Sequence, residues 1–379
     1  MMLRKLLSIL VVCSAIWAGP SHAFETPFGL EVSQAIDRGL QYFRGLQQGD
    51  GSFVADGSAG ITGLAALCFL ERRASPDWNA LPVGYLGMEA ADQQIVTRAI
   101  AYLINNDPGL GGGIAQSYVT GSSLMALSVY ITSGGPDNVG ANSTVTQAIR
   151  TGVEGLRNNQ VLNGSNRGGW DYAQPGADGD LSTTQYAAAG LSAASAIFPA
   201  AADPLQALPT FVTNVKNPDG GHRYRGNSNS ASSSSMSASG LWTYRISGIP
   251  VEDGRVQSTM QWLQQNHNVD NPVLTHGGRS FYYAMWASAK GYEVSADSPQ
   301  GINSTMIGGQ YDPAALGYPE EPRGWYFDYA HKLLQNQDGT GGWSQPGHWN
   351  EGAATAYAIL VLERSLGGAC IDIDEDEIC

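Results

Sequence analysis

The feature that most restricts the fold is a pattern repeated six times: a helix-forming segment, a glycine-rich turn, and a second helix-forming segment rich in Ala, Ser, Thr and Leu. The first unit reads Val32 to Gln48, the turn Gly49-Asp50-Gly51-Ser52-Phe53, then Ser58 to Arg72. The second runs from Gln94–Asn106 into Ser117–Ile131, and the third from Val145–Asn159 into Ser182–Ile197. The fourth joins Pro204–Asn217 to Ser232–Ile246, the fifth Arg255–Asn268 to Ser280–Lys290, and the sixth Gly324–Gln337 to Ala353–Ser365. First segments carry apolar residues at helical spacing, as in Ile36, Leu40, Phe43 and Leu46, and so have one wet face. Second segments, such as Gln185 to Leu191, are apolar or small nearly all round, the pattern of a helix with no face in bulk water.

Six amphipathic helices can enclose six buried ones as two concentric rings. The expected fold class is therefore all-α, an (α/α)6 toroid of six helical hairpins. A linear solenoid of the same hairpins would leave an apolar face at each end, and neither terminal unit is polar enough to cap one. The 48 glycines and 18 prolines fall mainly in the connections, and β-branched runs that would mark strands are short. The serine-rich stretch Asn227 to Ser239 reads as a loop passing into the fourth inner helix.

Residues 1–23 combine Arg4 and Lys5, an apolar run from Leu6 to Ala18, and Ser21-His22-Ala23, the pattern of a cleavable signal. The expected location is secreted or periplasmic, with a toroid over 24–366 and an acidic tail over 367–379. No segment reaches the roughly 18 uncharged apolar residues of a membrane helix. Without Arg4 and Lys5 the chain has 18 basic against 34 acidic residues, a formal charge of −16. Such a surface repels phosphate backbones and anionic lipid, which argues against nucleic-acid and membrane-surface partners. Cys68, in an apolar run, reads as a small buried hydrophobe. Cys370 and Cys379 could be bridged in an oxidising compartment or stay free. The carboxylates from Asp372 to Glu377 alternate as in a calcium loop, but no glycine or closing ligand follows, so a solvated tail is expected.

The turns resemble the QW repeat of squalene and oxidosqualene cyclases. Arg38-Gly39-Leu40-Gln41-Tyr42-Phe43 followed by Gln47 and Gly51-Ser52-Phe53 matches it, with Phe53 for Trp. Tyr329 to Gln335 followed by Gly341-Gly342-Trp343 matches better. Resemblance to the terpenoid cyclase and protein prenyltransferase superfamily implies a toroid up to about Leu366, with the repeat's Gln and Trp tying outer helices together. It also implies a proton-donating Asp in an Asp-x-Asp-Asp motif. Asp178-Gly179-Asp180-Leu181 puts Asp178 and Asp180 in that place, but Leu181 replaces the last Asp. The plainer reading of Asp180 is an N-cap for the third inner helix, with Ser182 and Thr183 in its first turn. The prenyltransferase zinc site needs Asp-x-Cys and a His on later inner helices, and units four to six contain no Asp-x-Cys. His-Glu-x-x-His, Cys-x-x-Cys and Gly-x-Ser-x-Gly are also absent, so neither metal nor cofactor is expected.

His222, His276 and His348 adjoin the turns of units four, five and six, so a toroid would set them on one rim with Glu351, Arg279, Tyr282 and Tyr283. Such a set could abstract a proton beside a uronate, as in polysaccharide lyases on α/α toroids, hold a divalent metal, or consist of solvated turn residues. His276 and Tyr283 thus join Asp180 and Asp178 as candidates for proton transfer. Tyr118, Tyr186, Trp242 and Trp286, with Arg279, Glu351, His222 and His348, are the candidate contacts of a small-molecule or glycan ligand. Three functions stay open. A cyclase-like enzyme, holding an elongated apolar or mixed ligand in the centre, needs a deep dry cavity with Asp180 at one end. A glycan lyase or hydrolase needs an open aromatic rim, and a scaffold needs a hole plugged by side chains.

Overall fold

The computed structural model describes residues 25–53, 59–77, 80–173, 178–274, 280–296, 298, 300–344 and 350–368. The expected signal segment, Cys370, Cys379 and the acidic run Asp372 to Glu377 lie outside them.

Among the described residues, twelve main helices alternate between two rings. The outer ring holds α1 (Pro27–Leu46), α3 (Ala90–Asn106), α5 (Val145–Asn159), α7 (Leu208–Asn214), α9 (Gly254–Gln265) and α11 (Trp325–Asn336). The inner ring holds α2 (Ala59–Leu70), α4 (Ser117–Thr132), α6 (Leu181–Ser195), α8 (Ser234–Ile246), α10 (Phe281–Glu293) and α12 (Glu351–Leu362). Each inner helix packs on the next, and α12 returns to α2, so the ring closes. The described residues contain isolated β-bridges but no strand. No described helix is long and apolar enough to cross a membrane.

The helices form where their patterns place them. In α1, Thr26 caps the N-terminus by accepting from the Gly29 N–H at 2.9 Å, Pro27 occupies the first turn, and Val32, Ala35, Ile36, Leu40 and Phe43 face inward. In α6 every side chain from Leu181 to Ala194 is buried. Inner helices also touch backbone to backbone: a Cβ on Gly121 would lie 2.4 Å from the Tyr186 carbonyl oxygen, and one on Gly190 would lie 2.6 Å from that of Gly121. Cys68 is fully buried, as its apolar setting predicts.

Glutamines at the C-caps of outer helices fasten each unit to the next. The Gln47 amide donates to Gly51 O at 3.2 Å in its own turn and to Ile95 O at 2.8 Å in α3. Gln160 does the same with Gly168 O (3.2 Å) and Pro204 O (2.8 Å). Gln337 reaches from the last unit to the first: its amide donates to Gly341 O and Ala35 O, both at 2.8 Å, and its oxygen accepts from Arg38 at 2.9 and 2.6 Å. The sequence match gave this role to Gln335, but Gln335 bonds His331 along the same helix at 2.9 Å. A residue two positions before the C-cap points along the helix wall, whereas the C-cap residue can turn toward the neighbouring unit.

Two segments differ from expectation. The fourth outer element is a 3-10 stretch, Pro199–Ala207, followed by the short α7, because Pro204 inside the first part cannot supply an α-helical N–H. The residues between α10 and α11 include two 3-10 turns and are held by the buried Asp328, which accepts from Gln310 N and Tyr311 N at 2.9 Å and pairs with His267 at 2.8 Å. Gly367 and Gly368, expected in the tail, are tied to the body by N–H bonds to Glu71 at 3.3 and 2.8 Å.

Candidate ligand site on the inner ring

Every inner helix follows its outer partner in the same sense, so the six inner N-termini share one face. Asp180 caps α6 there: Oδ1 accepts from Thr183 N at 2.8 Å and from the Ser182 hydroxyl at 2.7 Å. Its Oδ2 lies 3.4 Å from Arg225 Nη2, which also contacts Asp171 at 3.2 Å. Asp180 is fully buried, and burial pushes its carboxyl above the ordinary range while the bonds from Ser182 and Thr183 pull it back. All three neighbours are donors to the carboxylate form.

Three tyrosines complete this layer. The Tyr118 hydroxyl donates to Ser182 Oγ, which sits 3.3 Å from the Tyr224 hydroxyl, and Tyr224 is 2.8 Å from the Tyr172 hydroxyl. Tyr172 is 47% exposed, so the chain of hydroxyls runs from solvent to the buried carboxylate. Asp178, half-buried two residues before the cap, makes none of these bonds. Glu351 opens α12 on the same face and accepts from Tyr42 at 3.4 Å.

Deeper in the ring the Gln185 amide donates to the Tyr283 hydroxyl at 2.7 Å, with Ser239 at 3.1 Å. Next come Tyr186 of α6 and Tyr357 of α12, helices on opposite walls, whose hydroxyls are hydrogen-bonded across the middle. Trp286 packs against both, with ring centroids 5.2 and 5.1 Å away. Tyr118 and Ser182 lie in the first turn of their helices and Tyr186, Trp286 and Tyr357 about one turn further in, roughly 5 Å deeper. These rings form a floor across the toroid at mid-depth. Trp242 lies beyond the floor, beside Lys290.

Burial raises the hydroxyls of Tyr118, Tyr224 and Tyr283 well above their ordinary value. They stay neutral at physiological pH and act as hydrogen-bonding groups, not as bases.

His222 departs from the expected rim position. It is fully buried in the wedge between rings, its backbone N–H donating to Ser237 Oγ at 2.9 Å. Trp170 and Trp343 donate in the same way to Thr184 and Thr355, both at 2.9 Å. His222 therefore fills the aromatic slot of the repeat, edge-on to Tyr244, and burial lowers it to about 3. His276, Arg279 and His348 lie outside the described residues. Sequence reasoning missed Tyr172, Tyr224, Arg225 and Tyr357. Tyr172 and Tyr224 had a signal, since each stands two residues after the slot filled by Trp170 and His222.

No protein-family model and no curated protein matches the sequence. Solved structures match it in fold. A possible member of the GH105 family from Klebsiella pneumoniae is 11% identical, with 95% of this chain and 98% of that one covered and a TM-score of 0.54. Candida albicans protein geranylgeranyltransferase-I complexed with GGPP is 15% identical over 86% of this chain and 90% of that one, with a TM-score of 0.51. A UGL variant described with dGlcA-Glc-Rha-Glc is 11% identical over 88% and 95%, with a TM-score of 0.53. At such identity the likeness establishes the fold alone, an α/α toroid.

Proposed function

We propose that the protein binds a hydroxyl-rich ligand, a glycan, on the N-terminal face of its inner ring. Tyr118, Tyr172 and Tyr224 would contact it together with Arg225, which Asp180 holds in place. The observation that carries this reading is the aromatic floor of Tyr186, Trp286 and Tyr357 beneath a layer of hydroxyls and opposite charges. An elongated isoprenoid needs a long apolar slot, which the bonded Tyr186 and Tyr357 interrupt. Sugar rings suit the other arrangement, because their C–H faces pack on tyrosines while their hydroxyls exchange hydrogen bonds with polar groups. The export expected from residues 1–23 favours the same ligand class.

Binding is the better supported half of the glycan alternative. Tyr118 and Tyr224 are neutral and Asp180 is committed to its cap, so turnover would have to come from His276, Arg279 or His348.

The test is calorimetric titration of the mature chain with neutral and uronate oligosaccharides, and with geranylgeranyl diphosphate and squalene in parallel. The expected result is binding of a saccharide that Tyr172→Ala and Tyr224→Phe each weaken by about tenfold, the worth of one good contact. Isoprenoid binding without saccharide binding, or unchanged affinity in both variants, would refute the reading.

A further inference from the structure

Beyond the tyrosine floor, toward the C-terminal ends of α8 and α10, three buried donors lie without a hydrogen-bond acceptor among the described residues. Lys290 of α10 is fully buried, and its Nζ lies 3.4 Å from the centre of the Trp286 ring and 4.9 Å from that of Trp242. Neither this amine nor the indole N–H of Trp242 or Trp286 has a hydrogen-bond partner among the described residues. Folded proteins satisfy nearly all such groups with protein, water or a bound species.

The chemistry of the set restricts what would satisfy it. An ammonium and two indoles only donate, so the missing partner is an acceptor. Lys290 brings one positive charge into walls of tryptophan, and a buried cation is tolerated when one opposite charge neutralises it. A dianion would leave an uncompensated charge there. The carboxylate acting on Lys290 from the end of α2, Glu71, is already bonded to the Ser365 hydroxyl and to the N–H groups of Gly367 and Gly368.

We propose that Lys290, Trp242 and Trp286 form a buried site for a small monocarboxylate. Its two oxygens take the three donors, and its apolar remainder lies against the indole faces. This site lies on the far side of the Tyr186–Tyr357 pair from the rim, shares Trp286 with the floor, and does not depend on the glycan reading. Burial lowers the pKa of Lys290 well below its ordinary value, and a bonded carboxylate would favour the ammonium form again by replacing the water it has lost.

The experiment titrates the full mature chain with butyrate and benzoate while following tryptophan fluorescence and thermal unfolding. Butyramide serves as the uncharged analogue and inorganic phosphate as the dianion. A carboxylate is expected to shift both signals, with butyramide and phosphate inert at equal concentration. Lys290→Met, which keeps length and loses charge, should abolish the response. Trp242→Phe, which keeps an aromatic ring and loses the N–H, should weaken it about tenfold and decides the matter if the lysine variant does not fold. No response to either carboxylate, an equal response to butyramide, a stronger one to phosphate, or full affinity in either folded variant would overturn the proposal.

Discussion

Replacing Gln337 by Ala should loosen the toroid at the joint between its last and first units. The substitution removes two donated bonds, to Gly341 O and Ala35 O at 2.8 Å, and the acceptor of two Arg38 N–H groups. Arg38 is on the surface and can turn to water, so its loss counts for little. The two carbonyls are less easily rehydrated, and at about 1.5 kcal/mol each the variant should lose about 3 kcal/mol. Unfolding entropy of about 2 cal/mol/K per residue gives a chain of this size about 0.7 kcal/mol/K, so the melting temperature should fall by about 4 °C. The assay is differential scanning calorimetry of wild type, Gln337→Ala and Gln335→Ala. Gln335 only bonds His331 on an exposed helix face, and its removal should change stability by less than about 0.5 kcal/mol. If Gln335→Ala proved as damaging as Gln337→Ala, the assignment of the clamp would be wrong.

Other substitutions test separate parts of the argument. Asp180→Asn retains a capping oxygen and should keep stability within about 1 kcal/mol, whereas Asp180→Ala should lose about 2 kcal/mol in urea denaturation; equal losses would contradict the cap. Gly190→Ala drives a Cβ against the Gly121 backbone and should cost about 3 kcal/mol, while Gly45→Ala, with nothing within 4 Å in the exposed part of α1, should gain about 1 kcal/mol. Melting both variants side by side checks the sign of each. Glu363 is buried with no partner for either carboxylate oxygen among the described residues, and burial, then Glu71, raises it well above 4.5. The native state therefore holds a proton that the unfolded chain releases, so this contribution is present at low pH and is lost as pH rises above about 4.5. Glu363→Gln should flatten that decline and raise the melting temperature at pH 8; an unchanged pH profile would count against a protonated Glu363.

The features legible in the sequence are those written in local periodicity. Ile36, Leu40 and Phe43 mark one buried face of α1, and the unbroken small and apolar run of α6 marks a helix dry on all sides. The cap at Asp180 was legible because its donors lie within three residues. The repeat itself announced the turn aromatics, yet at His222 the chemical type of the residue outweighed its register: a histidine beside glycines reads as polar rim, whereas its place two residues after Gly220 is that of Trp343 after Gly341.

Local periodicity specifies six hairpins, each with one wet and one dry helix, and their closure into a ring, because an open row would leave apolar ends uncovered. The meeting of Tyr186 with Tyr357, the joining of Gln337 to Ala35 and the enclosure of Lys290 by two indoles belong to the tertiary structure. The reason is distance along the chain: Tyr186 and Tyr357 are 171 residues apart, and Gln337 and Ala35 are 302. Periodicity records which side of a helix avoids water, but it holds no record of which distant side chain waits on the opposite wall.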